Sequence, residues 1–327
     1  MKKLLFISAS IIIIIGCSKK NTSPNTVTPS GTSGWTKQNL GTSYFDITDI
    51  FFVDQNTGWV VGSHNMILHT TDGGTTWVKQ QTTPDTNNYF HIVFFVDKNF
   101  GWALGPTGFI RTTNGGALWG ICTYSIQPYG AAFYFTDANN GWANCPNYIG
   151  SIFSPMAHTT DGGITWTKIN VGIVSPILSI KFTDSNHGWA STGDSIISTT
   201  DGGLTWSKKI RPNSSTDGGI TFISDTNWMF YDYSQYGYYF HSTDGGLTWN
   251  KRDGGMPYFF DDNNGWRQTS SNIIEHTKDG GLTWVSQKCP TGTKLGGHFS
   301  FTDLNHGWVN GGSQGECFIL HTNTGGK

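Results

Sequence analysis

The chain has 327 residues, of which 43 are Gly and 14 are Trp, and only 13% are charged. Gly is costly inside helices, whereas aromatic residues and Thr fit a pleated sheet, so this composition favours an all-β fold. Of the 22 acidic residues all but Glu275 and Glu316 are Asp, which disfavours long helices with Glu/Lys pairs. The net charge of -2 and the presence of only four Arg exclude a basic surface for nucleic acid.

The chain begins with a predicted signal peptide, residues 1–16. A short positive segment precedes an apolar segment, residues 4–15, which is too short to cross a bilayer. Ile-Ile-Gly-Cys at residues 14–17 resembles the lipobox of bacterial lipoproteins. This resemblance implies that Cys17 carries a lipid and becomes the mature N-terminus. The alternative is an ordinary signal peptide with a chance Cys.

Residues 17–33 are predicted to be the lipidated Cys and a flexible tether. This stretch has almost no apolar side chains, so burial cannot offset the conformational entropy that ordering would cost. The lipobox resemblance implies a bacterial cell-envelope protein that contacts the membrane through the lipid on Cys17. Ser18 resembles the sorting signal for the outer membrane, and the side of that membrane stays open.

Residues 34–327 contain seven repeats. Each repeat has a box of the form Thr-Thr-Asp-Gly-Gly-x-Thr-Trp, and the seventh box is split between residues 322–327 and Trp35. A second motif precedes every box; it reads Asp-x-Asn-x-Gly-Trp in six repeats and Asp-Thr-Asn-Trp at residues 225–228 in the fifth, and the two motifs together account for all 14 Trp. The Asp, or its Asn equivalent, in the six intact boxes is Asp72, Asn114, Asp161, Asp201, Asp244 and Asp279.

Each repeat is predicted to form four short antiparallel strands, A to D. Repeats of this length with four strands are typical of propeller blades. We predict a single seven-bladed β-propeller at residues 34–327, in which an N-terminal strand at Trp35 completes the C-terminal blade. Such closure removes free sheet edges that favour aggregation, and we expect a monomer.

The box is similar to the Asp-box, or BNR repeat, of sialidases and sortilin-type receptors. Together with the upstream Gly-Trp motif it resembles the photosystem II stability/assembly factor-like family over the whole folded chain. Members of this family in photosynthetic organisms are assembly factors that bind a membrane protein, and an Arg-rich patch is implicated in that binding; the resemblance implies the same role here. This chain has four Arg and lacks such a patch, so that partner is not carried over.

The repeated Asp and His residues are expected to be structural. A box Asp accepts hydrogen bonds from its own turn, the paired Gly relieve strain, and the Trp wedges between blades. The Asp-x-Asn-x-Gly turn departs from a calcium loop, because its Gly comes one position early and no Glu follows at the twelfth position. We expect no metal and no cofactor. One His precedes the box in five separate blades: His69, His158, His241, His276 and His321.

Four Cys remain after lipidation. Each of two pairs joins the end of one strand D to strand B or C of the next blade. Because an exported protein can oxidise its thiols, we predict the disulfides Cys122–Cys145 and Cys289–Cys317, with four buried free thiols as the alternative.

The loops predict one binding face. Connections between successive strands alternate between the two faces of the disc. The AB turn and the CD box keep nearly constant lengths, whereas the BC interval, counted from the motif Trp to the box Asp, varies. Binding residues usually sit on variable loops of a rigid scaffold, so we predict a ligand on the BC/DA face. Its aromatic residues suit a protein or a glycan, although they could instead pack on one another. The candidates are Tyr89, Tyr129, Tyr148, Phe153, Tyr231, Asp232, Tyr233, Tyr236, Tyr238 and Glu316.

Two functions follow. The leading hypothesis is a non-catalytic, lipid-anchored binding or assembly-scaffold propeller with a protein or glycan partner in the envelope. The alternative is a glycan-active hydrolase, sialidase-like or another glycosidase, which needs two carboxylates roughly 5 to 10 Å apart. Those carboxylates would have to come from Asp46, Asp49, Asp232 and Glu316, and Asp46 and Asp49 are predicted to lie on opposite faces of a strand. The scarcity of Glu and Arg therefore favours binding without catalysis.

Overall fold

The computed structural model describes residues 33–42, 46–82, 89–105, 108–122, 132–144, 156–169, 171–172, 175, 177–209, 218–232, 237–270, 272–313 and 316–327. It gives the backbone alone for Gly218, Ser313 and Glu316. The predicted signal peptide, Cys17 and nearly all of the predicted tether lie outside these residues. In the described part of the chain, no helix has the length and apolar character needed to span a bilayer.

The described residues form 28 strands in seven sheets. The strands of blades 1 to 4 are β2 (Ile47–Phe52), β3 (Gly58–Gly62), β4 (Ile67–Thr70), β5 (Val78–Lys79), β6 (Ile92–Phe95), β7 (Gly101–Gly105), β8 (Gly108–Thr112), β9 (Gly120–Ile121), β10 (Phe133–Phe135), β11 (Gly141–Asn144), β12 (Met156–Thr159), β13 (Thr167–Ile169), β14 (Ile177–Phe182), β15 (Gly188–Thr192), β16 (Ile196–Thr199) and β17 (Ser207–Lys209). Those of blades 5 to 7 are β18 (Gly218–Phe222), β19 (Trp228–Asp232), β20 (Tyr238–Ser242), β21 (Asn250–Asp253), β22 (Tyr258–Phe259), β23 (Gly265–Ser270), β24 (Ile273–Thr277), β25 (Val285–Lys288), β26 (Leu295–Phe301), β27 (Gly307–Ser313), β28 (Glu316–Thr322) and β1 (Thr36–Asn39).

The N-terminal strand β1 closes the ring. Every sheet has four antiparallel strands in the order A, B, C, D, and strand D of blade 7 is β1. It pairs with β28 from Thr36 opposite His321 to Asn39 opposite Phe318. The predicted seven-bladed propeller and its closure are therefore confirmed.

The first strands of the blades surround a central channel. β2 contacts both β26 and β6, and β14 contacts both β10 and β18. Burial alternates along β2 between buried and half-buried side chains, as expected for a strand with two different faces. Buried positions pack between blades, and the half-buried positions lie beside the channel.

Connection lengths differ between the two faces of the disc. All seven AB turns have five residues, from 53–57 to 302–306, and all six intact CD connections have seven, from 71–77 to 278–284. The BC connections range from two residues at 106–107 to eleven at 145–155. The expectation that the irregularity falls on the BC/DA face is confirmed.

A Trp–Phe stack joins neighbouring blades. Trp59 in β3 lies flat on Phe95 in β6, with ring centroids 3.4 Å apart and 9° between the planes. Its other face lies on His69 of its own blade, at 4.8 Å. The Trp of the upstream motif therefore fills the space between blades 1 and 2. The stack recurs at 3.6 to 3.7 Å in Trp102–Phe135, Trp142–Phe182, Trp266–Phe301 and Trp308–Phe52.

The Gly before this Trp makes room for the Phe ring of its own blade. A Cβ at Gly101 would lie 2.3 Å from Cε1 of Phe95. In blade 5 Trp228 itself stands opposite the strand-A Phe, at the position that the Gly has in the other blades, and it meets Phe222 edge-on, with centroids 5.3 Å apart and 87° between the planes. The Gly is therefore a packing requirement as well as a turn residue.

Replacing Gly101 with Ala is expected to lower the free energy of unfolding by about 2 kcal/mol, because the methyl group overlaps Phe95 and tilts it away from Trp59. Urea unfolding followed by Trp fluorescence measures the change. Gly120→Ala is the matched control, since a Cβ at Gly120 meets no atom within 4 Å. Equal losses in the two variants would show that the overlap is not the cause.

A Gln three residues after the box Trp links three blades to the blade that follows. Gln80 Nε2 donates to the carbonyl of Gly115 at 2.8 Å, and its Oε1 accepts from Trp119 Nε1 at 3.0 Å. Gln287 makes the same pair of bonds to blade 7, and Gln38 donates to a box carbonyl of blade 1. These bridges hold the interfaces on both sides of the closing blade.

Where the preceding blade lacks this Gln, the box Trp bonds to its own box. Trp166 Nε1 donates to the carbonyl of Gly163 at 3.1 Å, and blades 4, 5 and 6 repeat the arrangement. The residues at the Gln position of the preceding blades are Cys122, Ile169, Lys209 and Arg252. The box Trp of the next blade thus bonds across the interface after Gln80 and Gln287, and within its own box after the four other residue types.

Gln80→Ala is expected to destabilise the fold by about 2 kcal/mol, because the buried Trp119 Nε1–H and the Gly115 carbonyl both lose a partner. Lys209→Ala is the control, since Lys209 has the same repeat position in blade 4 and is exposed. Thermal unfolding of both variants measures the difference. A Gln80 variant as stable as the Lys209 variant would contradict a bridging role.

Each box Asp fixes its own turn. Asp72 Oδ1 accepts the Thr76 N–H and the Thr70 hydroxyl, both at 2.8 Å. The Gly73 N–H donates to the Asn56 carbonyl in the AB turn of the same blade, at 2.8 Å. These bonds are the ones that the structural interpretation of the box predicts, and they place the box and the AB turn on one face.

The predicted disulfide between Cys289 and Cys317 is wrong, because neither thiol is part of a disulfide bond. Cys289 packs with Trp266 between blades 6 and 7, whereas Cys317 packs beside Ile319 between blades 7 and 1. Side chains alternate between the two faces of a strand, so the sheet of blade 7 separates the two sulfurs. Cys122 is a free, buried thiol, and its predicted partner Cys145 lies outside the described residues.

Buried imidazoles predict a loss of stability in mild acid. Burial lowers the pKa of His241, His276 and His321 to about 4. The unfolded chain then binds more protons than the folded chain between pH 6.5 and pH 4, so the free energy of unfolding is expected to fall as the pH decreases through this window. A change of roughly 2 kcal/mol for each imidazole is expected.

Urea unfolding at pH 7.5 and pH 5 measures this loss. His276→Gln is expected to reduce the pH dependence, because the glutamine cannot take up the proton. The box carboxylates act at lower pH, since the hydrogen bond from the Thr205 hydroxyl helps to lower the pKa of Asp201 to about 2. An unchanged pH dependence in the His276 variant would contradict this origin.

Candidate binding face and central channel

The structure places part of the predicted binding set. Tyr89, Tyr231, Asp232 and Tyr238 belong to the BC/DA side of blades 1, 2 and 5. Glu316 begins β28, and only its backbone is described. The remaining candidates lie outside the described residues: Tyr129, Tyr148, Phe153, Tyr233 and Tyr236.

Tyr231 is built into the wall of the propeller. Its side chain is only 5% exposed, and its hydroxyl donates to the carbonyl of Pro257 at 3.0 Å. Asp232, the next residue, is also buried. Tyr231 therefore fastens the connection between blades 5 and 6, and its ring lies beside the channel rather than on the open face.

Tyr238 and Tyr89 are half-buried at the rim of the BC/DA face. The ammonium of Lys251 lies 3.4 Å from the centre of the Tyr238 ring. Burial raises the pKa of Tyr89, and the nearby Asp46 carboxylate adds to this effect. These two Tyr offer aromatic surface beside charges of opposite sign.

A cavity of about 680 Å³ occupies the channel on the side of blades 3 to 7. Its walls come mainly from the inner strands, and most of the lining side chains are aromatic or aliphatic. This volume is within the range of small-ligand sites. The polar or hydroxyl-bearing side chains include Tyr134, Lys181, Thr221, Tyr258 and His298.

Lys181 places a cation in this cavity. Its Nζ donates to the carbonyls of Phe222 at 2.7 Å and Ile223 at 3.1 Å, both in blade 5. Burial lowers the pKa of Lys181. Among the described residues no carboxylate forms an ion pair with it.

Asp49 lies across the channel in blade 1. It accepts the N–H of Ile50 at 2.9 Å and the N–H of Val93 in blade 2 at 3.0 Å, so it joins two inner strands. Burial raises its pKa, against the opposing effect of His298, whose Nδ1 lies 3.8 Å from Asp49 Oδ1. Asp46 precedes β2 and is exposed. The two carboxylates thus occupy different environments.

Sequence reasoning missed the channel residues Lys181 and His298. The signal that could have found Lys181 is the half-buried position in its strand A, where Ser179 and Lys181 interrupt an otherwise apolar pattern. A comparison of the repeats identifies residues that recur, whereas Lys181 occurs in one blade. In the described residues, no group of three His, Cys, Asp or Glu side chains could hold a metal.

Two overlapping stretches of the chain, residues 28–167 and 160–254, match the family described as photosynthesis system II assembly factor YCF48. The match covers more than half of the chain. The chain belongs to the YCF48 family. This confirms the resemblance seen in the box and in the upstream Gly-Trp motif.

Curated relatives match over shorter stretches. The photosystem II assembly lipoprotein Ycf48 of Prochlorococcus marinus (strain NATL2A) is 29% identical over 95 residues, which is 28% of either chain. That of Parasynechococcus marenigrum (strain WH8102) is 34% identical over 76 residues, 22% of either chain. The chain thus matches about a quarter of the length of these relatives.

Solved structures of YCF48 share the fold. The structure of YCF48 bound to D1 peptide has a TM-score of 0.69 and 19% identity, and the match covers 90% of this chain and 98% of that one. YCF48 from Cyanidioschyzon merolae has a TM-score of 0.64 and 20% identity, with 88% and 98% covered. The GH74 xyloglucanase from Xanthomonas campestris has a TM-score of 0.62 and 12% identity, with 89% and 54% covered. At these identities the likeness shows the fold alone.

Proposed function

We propose that this chain is a non-catalytic propeller that binds a protein partner on its BC/DA face and assists the assembly of a membrane protein in the bacterial cell envelope. Membership of the YCF48 family supports assembly as the function. Another member of the family has been solved as YCF48 bound to D1 peptide, which favours a polypeptide over a glycan as the ligand class.

The observation that carries the choice of face is the contrast in connection lengths. The five-residue AB turns and seven-residue CD boxes repeat in every intact copy, and their polar groups are bonded to one another. All variation in length falls on the BC and DA connections. A surface that differs between blades can recognise one partner, whereas a sevenfold surface presents the same groups repeatedly.

The predicted lipid on Cys17 is part of the proposal. It would hold the propeller at a membrane, where a membrane-protein partner is concentrated near the binding face. The names of the curated relatives, which are assembly lipoproteins, support such an anchor. The Arg-poor composition argues that the partner segment differs from one recognised by an Arg-rich patch.

Site-specific photo-crosslinking tests the face. A photo-crosslinking phenylalanine analogue replaces Tyr89 or Tyr238 in the full chain, expressed in its own host. We expect both positions to capture the same membrane protein, because both rings lie at the rim of the BC/DA face.

The matched controls carry the analogue at Leu204 or Leu247 on the box face, where these side chains are 79% and 81% exposed. Capture of the partner from the box positions alone would overturn the proposed face. Adducts with glycan alone from positions 89 and 238 would overturn the protein ligand. Excess protein without the analogue is expected to suppress a specific adduct.

A further inference from the structure

We propose that the central channel binds a carboxylate carried on an apolar or aromatic frame, and that the ammonium of Lys181 pairs with that carboxylate. This site is separate from the partner face on the rim. The ligand is either a free organic acid or an acidic side chain of a bound polypeptide, and both present the same chemistry to the channel.

Protein groups that the structure describes use only two of the three donors of Lys181. An ammonium has three N–H donors, and two of them bond to the carbonyls of Phe222 and Ile223. Lys181 is half-buried, and a charge partly withdrawn from water is stabilised by an opposite charge and by hydrogen bonds. Backbone carbonyls supply partial negative charge only, so the site retains a full positive charge beside the cavity.

A structural bridge between these two strands, β14 and β18, does not require a cation. Ser179, two residues before Lys181 on the same strand, donates its hydroxyl to the carbonyl of Ile220 in blade 5 at 2.8 Å. This neutral bond links the same pair of inner strands. Lys181 adds a charge that the link between blades does not need.

The rest of the cavity wall favours a ligand with an apolar body. Phe222, Tyr134, Tyr258, Phe299 and Met256 give the cavity large aromatic and apolar surfaces. A single cation in such surroundings matches a monoanion with an apolar body. A phosphate would bring up to two charges, whereas the ammonium of Lys181 supplies one.

The charges around His298 indicate how a ligand acid is oriented in the cavity. His298 lines the same cavity, and its ring nitrogen lies 3.8 Å from the Asp49 carboxylate. A negative group near His298 disfavours a second carboxylate there. The cavity therefore has one cationic position at Lys181, and a ligand acid is expected to place its carboxylate at that position.

Binding of 3-phenylpropionate to the purified protein tests the proposal, with the neutral 3-phenylpropionamide as the matched ligand. Calorimetry gives the affinities, and the NMR shift of Lys181 Nζ gives the location. We expect the acid to bind at least about tenfold more tightly than the amide, as charge-assisted hydrogen bonds do over neutral ones, and to shift the Nζ signal.

Lys181→Met is expected to remove this preference for the acid, and Lys181→Arg to retain it. Lys168→Met, on an exposed outer strand, is the control and is expected to leave binding unchanged. If Lys181→Met does not fold, the comparison of acid with amide in the wild-type and Lys181→Arg proteins decides the question. The blocked dipeptides Ac-Phe-Glu-NH₂ and Ac-Phe-Gln-NH₂ form a second arm, in which preference for Glu alone assigns the site to a polypeptide acid.

Equal affinity for acid and amide, together with equal affinity for the two dipeptides, would overturn the proposal. So would acid binding that leaves the Lys181 Nζ signal in place. Loss of binding in Lys168→Met but not in Lys181→Met would assign the anion to the outer surface. The partner face can fail its crosslinking test without affecting any of these measurements.

Discussion

The stack of a strand-B Trp on the strand-A Phe of the next blade is the contact on which the rest of the ring depends. At the five interfaces that have it, the two rings lie 3.4 to 3.7 Å apart. The Phe of this stack needs a Gly in strand B of its own blade, where a Cβ would overlap the ring. In four of the five blades that supply the Trp, a His covers the other face of the indole. The same requirement excludes water from the imidazoles and thereby sets their low pKa. Packing, glycine content and acid sensitivity thus share one cause.

Blade 5 shows what happens when that requirement is relaxed. Trp228 takes the position of the Gly, and the side-chain oxygen of the preceding residue, Asn227, lies 2.7 Å from His241 Nε2. Trp228 turns to donate to its own AB turn, and Trp189 meets Phe222 at a centroid distance of 6.2 Å. The ring accommodates this exception because the neighbouring interfaces keep the regular stack. Blade 5 also supplies Phe222 and Ile223, whose carbonyls hold Lys181, so the least regular blade borders the candidate channel site.

The fold could be predicted from the sequence because its cause recurs seven times. A box Asp, paired Gly and two Trp per repeat are local requirements, and each is visible within a few residues. The Gln bridges were harder to foresee, since Gln80 has meaning only beside Trp119 of the next blade. The error at Cys289 and Cys317 had the same origin, because proximity along adjacent strands does not reveal on which side of a sheet a side chain lies. Lys181 occurs once, and no repeat pattern could identify the carbonyls that receive it.

The split blade also constrains the order of folding. Thr36 bonds to His321, 285 residues later in the chain, so the ring cannot close until the last strand is available. Until then β28 has no strand D partner, and the first blade has no neighbour on one side. Contacts of such large sequence separation form slowly. Premature termination or slow delivery of the last strands therefore leaves open sheet edges on an otherwise folded chain, a state prone to pairing with other molecules.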